Sequence, residues 1–118
     1  MSDDTSSLMV SENGVSITVK VLTEMTIYTA SELLANVKAE LQGLEKNRLI
    51  EIDLSEVAEM DTAGAQVLLM AEQMAASKGA ALRVLSMSDA VKDSLKLLGL
   101  YCRFISTSDE QKTEKNIG

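Results

Sequence analysis

Histidine, proline and tryptophan are all absent from this chain of 118 residues. Without histidine, no imidazole can act as a general base, activate a nucleophile or bind zinc, so much enzyme chemistry has no support here. Aromatic residues make up only 3% of the chain, which leaves few rings to stack on nucleic-acid bases. The core must therefore be built from aliphatic side chains, alanine and methionine.

Basic residues are also scarce. Eleven lysines and arginines stand against eighteen aspartates and glutamates, which gives a net charge of −7. This charge repels phosphate backbones and anionic lipid headgroups, so we expect no nucleic-acid partner. The sequence has no apolar run of about 18 residues that could span a bilayer, and its first residues lack the order of a signal peptide. We therefore expect a cytoplasmic protein without direct membrane insertion.

Reactive and ligand-binding groups are few. Cys102 is the only cysteine, which excludes an intramolecular disulfide, and its apolar neighbours predict a buried thiol in a reducing compartment. The six glycines are scattered and form no phosphate-binding loop. The carboxylate pairs Glu51/Asp53 and Glu56/Glu59 have the pattern of solvated charge. We expect no catalytic residue, no cofactor and no metal site.

The order of apolar patterns predicts one α/β domain over residues 8–105, between flexible tails at 1–7 and 106–118. Two strands form a hairpin around Asn13–Gly14. Strands and helices then alternate with short connections, which indicates a mostly parallel sheet with packed helices. A last strand at 101–105 would bring the sheet from four strands to five. The predicted strands are 8–10, 15–21, 49–54 and 81–85, and the predicted helices follow Thr29, Asp61 and Ser88.

Short polar signals predict the helix ends. Thr29 and Glu32 have the spacing of a capping box for the first helix. Ser88 has the position of an N-cap for the third helix. Gly43, Gly79 and Gly99 stand where the three helices would end.

The tetrapeptide Asp61-Thr62-Ala63-Gly64 lies between a strand ending at Leu54 and a long apolar helix. The unpaired N–H groups and positive dipole end of a helix N-terminus could accommodate a phosphoryl group added to Thr62. A simpler interpretation is that Asp61 or Thr62 only caps the helix and that Ala63 and Gly64 are small for packing. The tetrapeptide alone leaves both interpretations open.

The helix after the tetrapeptide is apolar on more than one side. At about 100° per residue, Leu69 and Met70 lie beside Gln66 and Gln73, away from the predicted core stripe. Partly exposed apolar side chains of this kind favour a protein-docking face. Alternatively, sheet edges or the third helix cover Leu69 and Met70.

The order of these segments resembles the STAS domain, named after sulfate transporters and anti-sigma factor antagonists. The resemblance is carried by Thr26-Ile27-Tyr28-Thr29-Ala30 before a helix and by Met60-Asp61-Thr62-Ala63-Gly64 at the start of the next. It implies a non-catalytic module that binds an anti-sigma-type serine/threonine kinase and a phosphatase, with the phosphate received at Thr62. The resemblance and the exposed helix face together give the candidate partner-binding residues Thr26, Tyr28, Asp61, Ala63, Gly64, Gln66, Leu69, Met70 and Gln73.

Two departures from the family pattern bear on the partner. Ala63 stands where a second hydroxyl is common, and Thr23-Glu24-Met25-Thr26 replaces a Gly-Glu-Leu-Asp-like stretch. The segment Thr26–Ala30 is similar to STAS proteins associated with chemotaxis. The Asp-Thr-Ala-Gly form also resembles the STAS subunit of phospholipid-trafficking ABC transporters, which would dock on an ATPase without phosphorylation. The sequence does not determine the oligomeric state.

A receiver domain phosphorylated on aspartate is a structurally different alternative, because its length and α/β pattern are similar and Asp53 ends a central strand. Such domains need an acidic pair just after the first strand to hold Mg²⁺. Here Asp3 and Asp4 precede every predicted strand, and without proline there is no Lys-Pro motif. These absences argue against a receiver domain.

Overall fold

The computed structural model describes residues 7–12, 14–43 and 48–104. Its elements are β1 (Leu8–Glu12), β2 (Ser16–Val21), α1 (Ala30–Gln42), β3 (Leu49–Leu54), α2 (Thr62–Ser77), β4 (Ala81–Met87), α3 (Asp89–Leu97) and α4 (Tyr101–Phe104). The predicted tails at 1–7 and 106–118 lie outside the described residues except for Ser7. No helix in the described part of the chain is long and apolar enough to cross a membrane.

The four strands follow one another across the sheet in the order β1-β2-β3-β4. β1 and β2 pair in antiparallel fashion as predicted, while Asn13 of the predicted turn lies outside the described residues. β2, β3 and β4 run parallel, with α1 and α2 as the connections, as expected for parallel strands. The prediction of a mostly parallel α/β sheet is confirmed.

One face of the sheet carries the core. Val19 pairs with Ile52, which pairs with Val84, and all three are buried. Leu33 of α1 and Leu68 of α2 pack over this row. Their burial follows the helical period of the two apolar stripes.

The other face of the sheet is polar and partly exposed. Glu51 forms an ion pair with Arg83 across β3 and β4, and Lys20 lies 3.6 Å from Glu56. Alternation along the strands places these charges opposite the buried apolar side chains. The Glu51 side chain is only 13% exposed, so the expectation of a solvated charge is wrong for Glu51.

The predicted last strand is wrong, because Tyr101–Phe104 form the short helix α4. Leu100 N–H donates to the Leu95 carbonyl after Gly99, which has a φ of 75°. This reversal turns the chain back at the end of α3, and Phe104 of α4 is buried in the core. Cys102 points away from that contact and is exposed, so the expectation of a buried thiol is also wrong.

The helix caps are partly as predicted. Ser88 caps α3 by accepting a hydrogen bond from Val91 N–H at 3.2 Å. Thr29 is the residue before α1, but its hydroxyl makes no capping hydrogen bond. It donates instead to the Glu24 carbonyl at 2.7 Å and accepts from Thr26 N–H at 3.0 Å. The predicted capping box is therefore replaced by a closed turn in front of α1.

Candidate functional site

Two loops meet beyond the carboxyl ends of β2 and β3. Met25 N–H donates to the Glu59 carbonyl at 2.8 Å, and Asp61 N–H donates to the Met25 carbonyl at 3.1 Å. These bonds form an isolated parallel bridge between Met25 and Met60, both of which are buried. The loop before α1 and the loop before α2 are thus joined backbone to backbone at the edge where α/β proteins place functional loops.

Asp61 is the N-cap of α2 and holds both loops with one carboxylate. Its Oδ1 accepts from Gly64 N–H at 3.1 Å and its Oδ2 from Ile27 N–H at 3.0 Å. The hydrogen bond from Ile27, supported by the N–H groups of Gly64 and Ala63, lowers the pKa of Asp61, although partial desolvation acts in the opposite direction. Hydrogen bonds to the charged form favour it, so Asp61 is an anion at neutral pH.

Gly64 is required by close packing. A Cβ atom at this position would lie 2.6 Å from the Met25 carbonyl carbon and closer still to its oxygen. Any side chain would therefore push the first turn of α2 away from the Met25 backbone. Within the tetrapeptide, Asp61 and Gly64 have clear structural roles.

Thr62 is different, because it is the first residue of α2 and its side chain is exposed. In the part of the chain that the structure describes, its hydroxyl has no hydrogen-bond partner. Ala63 beside it is half-buried. The cap belongs to Asp61, so the alternative that Thr62 caps the helix is wrong, and its hydroxyl is accessible without loss of a structural contact.

The loop before α1 presents two apolar side chains beside Asp61. Ile27 is 69% exposed and Tyr28 is 90% exposed. Thr26 behind them is buried and accepts from Tyr28 N–H at 3.3 Å through its hydroxyl. Of the candidate residues in this loop, Tyr28 is therefore accessible, whereas the buried Thr26 shapes the turn.

The candidate residues on α2 do not form one uniform face. Gln66, Met70 and Gln73 are exposed. Leu69 is half-buried and packs against the core, while Met70 is 42% exposed. Both are therefore partly exposed, as expected, but Met70 is the more accessible of the two.

A shallow depression beside Thr62 brings in residues that the sequence analysis missed. It has a volume of about 240 Å³ and is lined by Met60, Asp61, Thr62, Ser94, Leu97 and Leu98. The Ser94 hydroxyl donates to the Met60 carbonyl at 2.7 Å and so fixes α3 against the loop. The sequence carried a signal for Leu97, because Val91 and Leu95 occupy the buried stripe of α3 and Leu97 lies off that stripe. Leu98 has the spacing of the stripe itself, so the sequence carried no signal for its exposure.

The family model described as "Mlab, STAS domain" matches residues 8–102. The chain belongs to the STAS domain family. No curated protein matches the sequence. The match spans every described element except the end of α4, and it includes the Asp61–Gly64 tetrapeptide.

Solved structures share the STAS fold over nearly the full chain. An anti-sigma factor antagonist from Thermotoga maritima has a TM-score of 0.72 at 19% identity, covering 90% of this chain and 92% of its own. One from Mycobacterium paratuberculosis has a TM-score of 0.70 at 22% identity, with 91% of each chain covered. The unphosphorylated form of the anti-sigma factor antagonist SpoIIAA has a TM-score of 0.66 at 12% identity, with 94% and 96% covered. At these identities the likeness concerns the fold.

Proposed function

We propose that this STAS domain is a non-catalytic regulatory module that binds an anti-sigma-type serine/threonine kinase and is switched by phosphorylation of Thr62. The observation that carries the proposal is the exposed Thr62 hydroxyl between two residues with structural roles. Asp61 and Gly64 hold the helix start in place, while Thr62 is accessible and has no bonding partner among the described residues. A kinase could modify it without unfolding the helix.

The switch would act through charge. The kinase transfers the γ-phosphoryl group of ATP to the Thr62 hydroxyl, which loses its proton, and ADP leaves. The product carries about −1.5 to −2 charges at pH 7. This charge arises beside the ionised Asp61 carboxylate, in a chain whose net charge is already −7. Repulsion and desolvation then weaken an interface that buries Thr62, and a phosphatase restores it.

The proposal includes a cytoplasmic location, because the kinase, ATP and phosphatase act there. It does not depend on the chemotaxis sub-type, which remains a prediction from the segment Thr26–Ala30.

The solved relative SpoIIAA is known in an unphosphorylated and a phosphorylated form. Its fold supports the proposal that this domain also exists in two such states.

The test is incubation of the purified chain with an anti-sigma-type kinase from the same genome and Mg²⁺-ATP, followed by peptide mass spectrometry. We expect one phosphate on Thr62 and none on the Thr62→Ala variant. A phosphate on Ser55, Ser86 or Ser88 in its place would contradict the assignment. The co-encoded phosphatase should remove the phosphate from Thr62.

A second candidate function is the STAS subunit of a phospholipid-trafficking ABC transporter, docked on its ATPase without phosphorylation. The description of the matching family model, "Mlab, STAS domain", favours it over a description as an anti-sigma factor antagonist. Ala63 also favours it, because the Asp-Thr-Ala-Gly form of the tetrapeptide resembles that subunit. Binding to a transporter ATPase, with equal affinity for wild type and Thr62→Ala and no phosphorylation, would support this candidate over the kinase switch.

A further inference from the structure

Exposed apolar side chains from two different segments lie close to Thr62. Ile27 and Tyr28 belong to the loop that the Asp61 carboxylate holds through Ile27 N–H. Leu97 is 88% exposed at the end of α3 and lines the same depression as Thr62, together with the exposed Leu98. We call Ile27, Tyr28, Leu97 and Leu98 the apolar collar.

Both segments of the collar are fixed relative to Thr62. On one side, Asp61 bonds to Ile27 N–H at 3.0 Å. On the other, the Ser94 hydroxyl bonds to the Met60 carbonyl at 2.7 Å, two residues before Thr62. A surface whose side chains are already positioned loses less conformational entropy when it binds. Tyrosine and leucine held in this way can act as anchors for a partner.

The charges around the collar are acidic. Asp61 is ionised, and Glu24, Glu59 and Asp93 are exposed in the two loops and on α3. At about 100° per residue, Asp93 lies about 40° from Leu97 around α3, whereas Lys92 and Lys96 lie at least about 100° from it. Lys96 stacks over the Tyr101 ring at 5.0 Å. The collar is therefore apolar with a negative surround.

We propose that the apolar collar, and not the exposed side of α2, is the main docking surface, and that its partner is a protein with an apolar groove bordered by lysine or arginine. The inference rests on the proposed function, since it concerns the partner that Thr62 controls. Apolar contacts supply the affinity, and the opposite charges speed association. An anionic membrane does not fit the same surface, because its charge has the wrong sign.

The test measures the affinity of an anti-sigma-type kinase from the same genome for four chains: wild type, Leu97→Ser, Leu85→Ser and Met70→Ser. Leu85 is a matched control, because it is also an exposed leucine, 48% accessible, but lies on β4. Met70 represents the α2 face. We expect Leu97→Ser to weaken binding at least about tenfold and the other two variants to change it less than about twofold. Urea unfolding of each variant checks that the fold is intact.

Charge is tested separately by association rates at several salt concentrations. We expect the rate to fall as salt rises, and Asp93→Asn to lower it at low salt while leaving the dissociation rate nearly unchanged. A salt-independent rate would overturn the basic border of the groove.

Three results would contradict the inference. If Met70→Ser weakens binding and Leu97→Ser does not, the α2 face is the docking surface and the proposed function stands. If Leu97→Ser changes the sedimentation coefficient of the free chain, a second copy occupies the collar. If no kinase binds the wild-type chain, the proposed function fails and the inference fails with it.

Discussion

The Asp61 carboxylate accepts a hydrogen bond from Ile27 N–H at 3.0 Å, although the two residues are 34 positions apart in the sequence. The same carboxylate caps α2 through Gly64 N–H. One side chain thus fixes the start of the helix that carries Thr62 and the loop that carries Tyr28. The stability of the α2 start and the position of the Tyr28 loop are therefore coupled at Asp61.

The lowered pKa of Asp61 predicts a specific pH dependence of stability. The native state favours the charged form, so the unfolded state binds more protons and stability rises with pH. The contribution is present above the ordinary pKa of 3.8 and is lost as the pH falls through the lower native value. Urea unfolding of wild type and Asp61→Asn between about pH 2.5 and 6 measures it.

We expect Asp61→Asn to be less stable than wild type at pH 6, because the NH₂ group of the asparagine side chain replaces one of the two accepting oxygens. The difference should shrink below pH 3.8. Asp53→Asn on β3 is a control, because among the described residues the Asp53 carboxylate accepts only from Ser55 N–H. If the difference in unfolding free energy between wild type and Asp61→Asn does not change with pH, the carboxylate charge does not stabilise the native state.

Gly64→Ala should destabilise the domain by about 1–3 kcal/mol through overpacking against the Met25 backbone. Gly43→Ala is the matched control, because Gly43 has a φ of −88° and open space around its Cα. That change should be neutral or stabilise by a few tenths of a kcal/mol. Urea midpoints measure both variants. Equal stability of the two would mean that the contact between Gly64 and Met25 is not tight in solution.

Ser88→Ala should cost about 1–2 kcal/mol of stability. Its hydroxyl caps α3 at Val91 N–H and also donates to the Val57 carbonyl. The change leaves an unpaired carbonyl beside the fully buried Val57 side chain. Ser86→Ala is the control, because Ser86 is exposed and lies two residues earlier on β4. Thermal unfolding in which the two variants behave alike would refute the dual role of the Ser88 hydroxyl.

The sequence predicted most of the fold because its patterns are local. Alternation marked β3, the helical period marked α2, and Gly99 marked the end of α3 at its positive φ. The short helix α4 was missed, because the four residues Tyr101–Phe104, three of them apolar, fit a strand as well as a helical turn. The reversal at Gly99 and the burial of Phe104 in the core decide between them, and the burial depends on tertiary contacts.

The site was also predictable only in part, because its geometry depends on tertiary contacts. Asp61 and Thr62 could be found from their position before an apolar helix. The bond from Asp61 to Ile27 and the place of Leu97 in the depression beside Thr62 depend on contacts across more than 30 residues. No periodicity within one segment carries that information.

Thr62→Glu should weaken binding to the kinase by at least about tenfold, whereas Thr62→Ala should preserve it. The glutamate places a negative charge beside ionised Asp61 and within the surface that the partner buries. It should not destabilise the fold, because a carboxylate in the first turn of a helix interacts favourably with the dipole. Unfolding curves and binding isotherms measured on the same samples separate these two effects.

Ser77→Glu is the control for charge alone, since it adds the same group at the opposite, exposed end of α2. A long-range effect of net charge would lower the affinity of both glutamate variants equally, and raised salt would restore both. A local effect at the docking surface affects Thr62→Glu and leaves Ser77→Glu close to wild type. Equal affinities of Thr62→Glu and Thr62→Ala would eliminate the phosphorylation switch and leave a binding module controlled in another way.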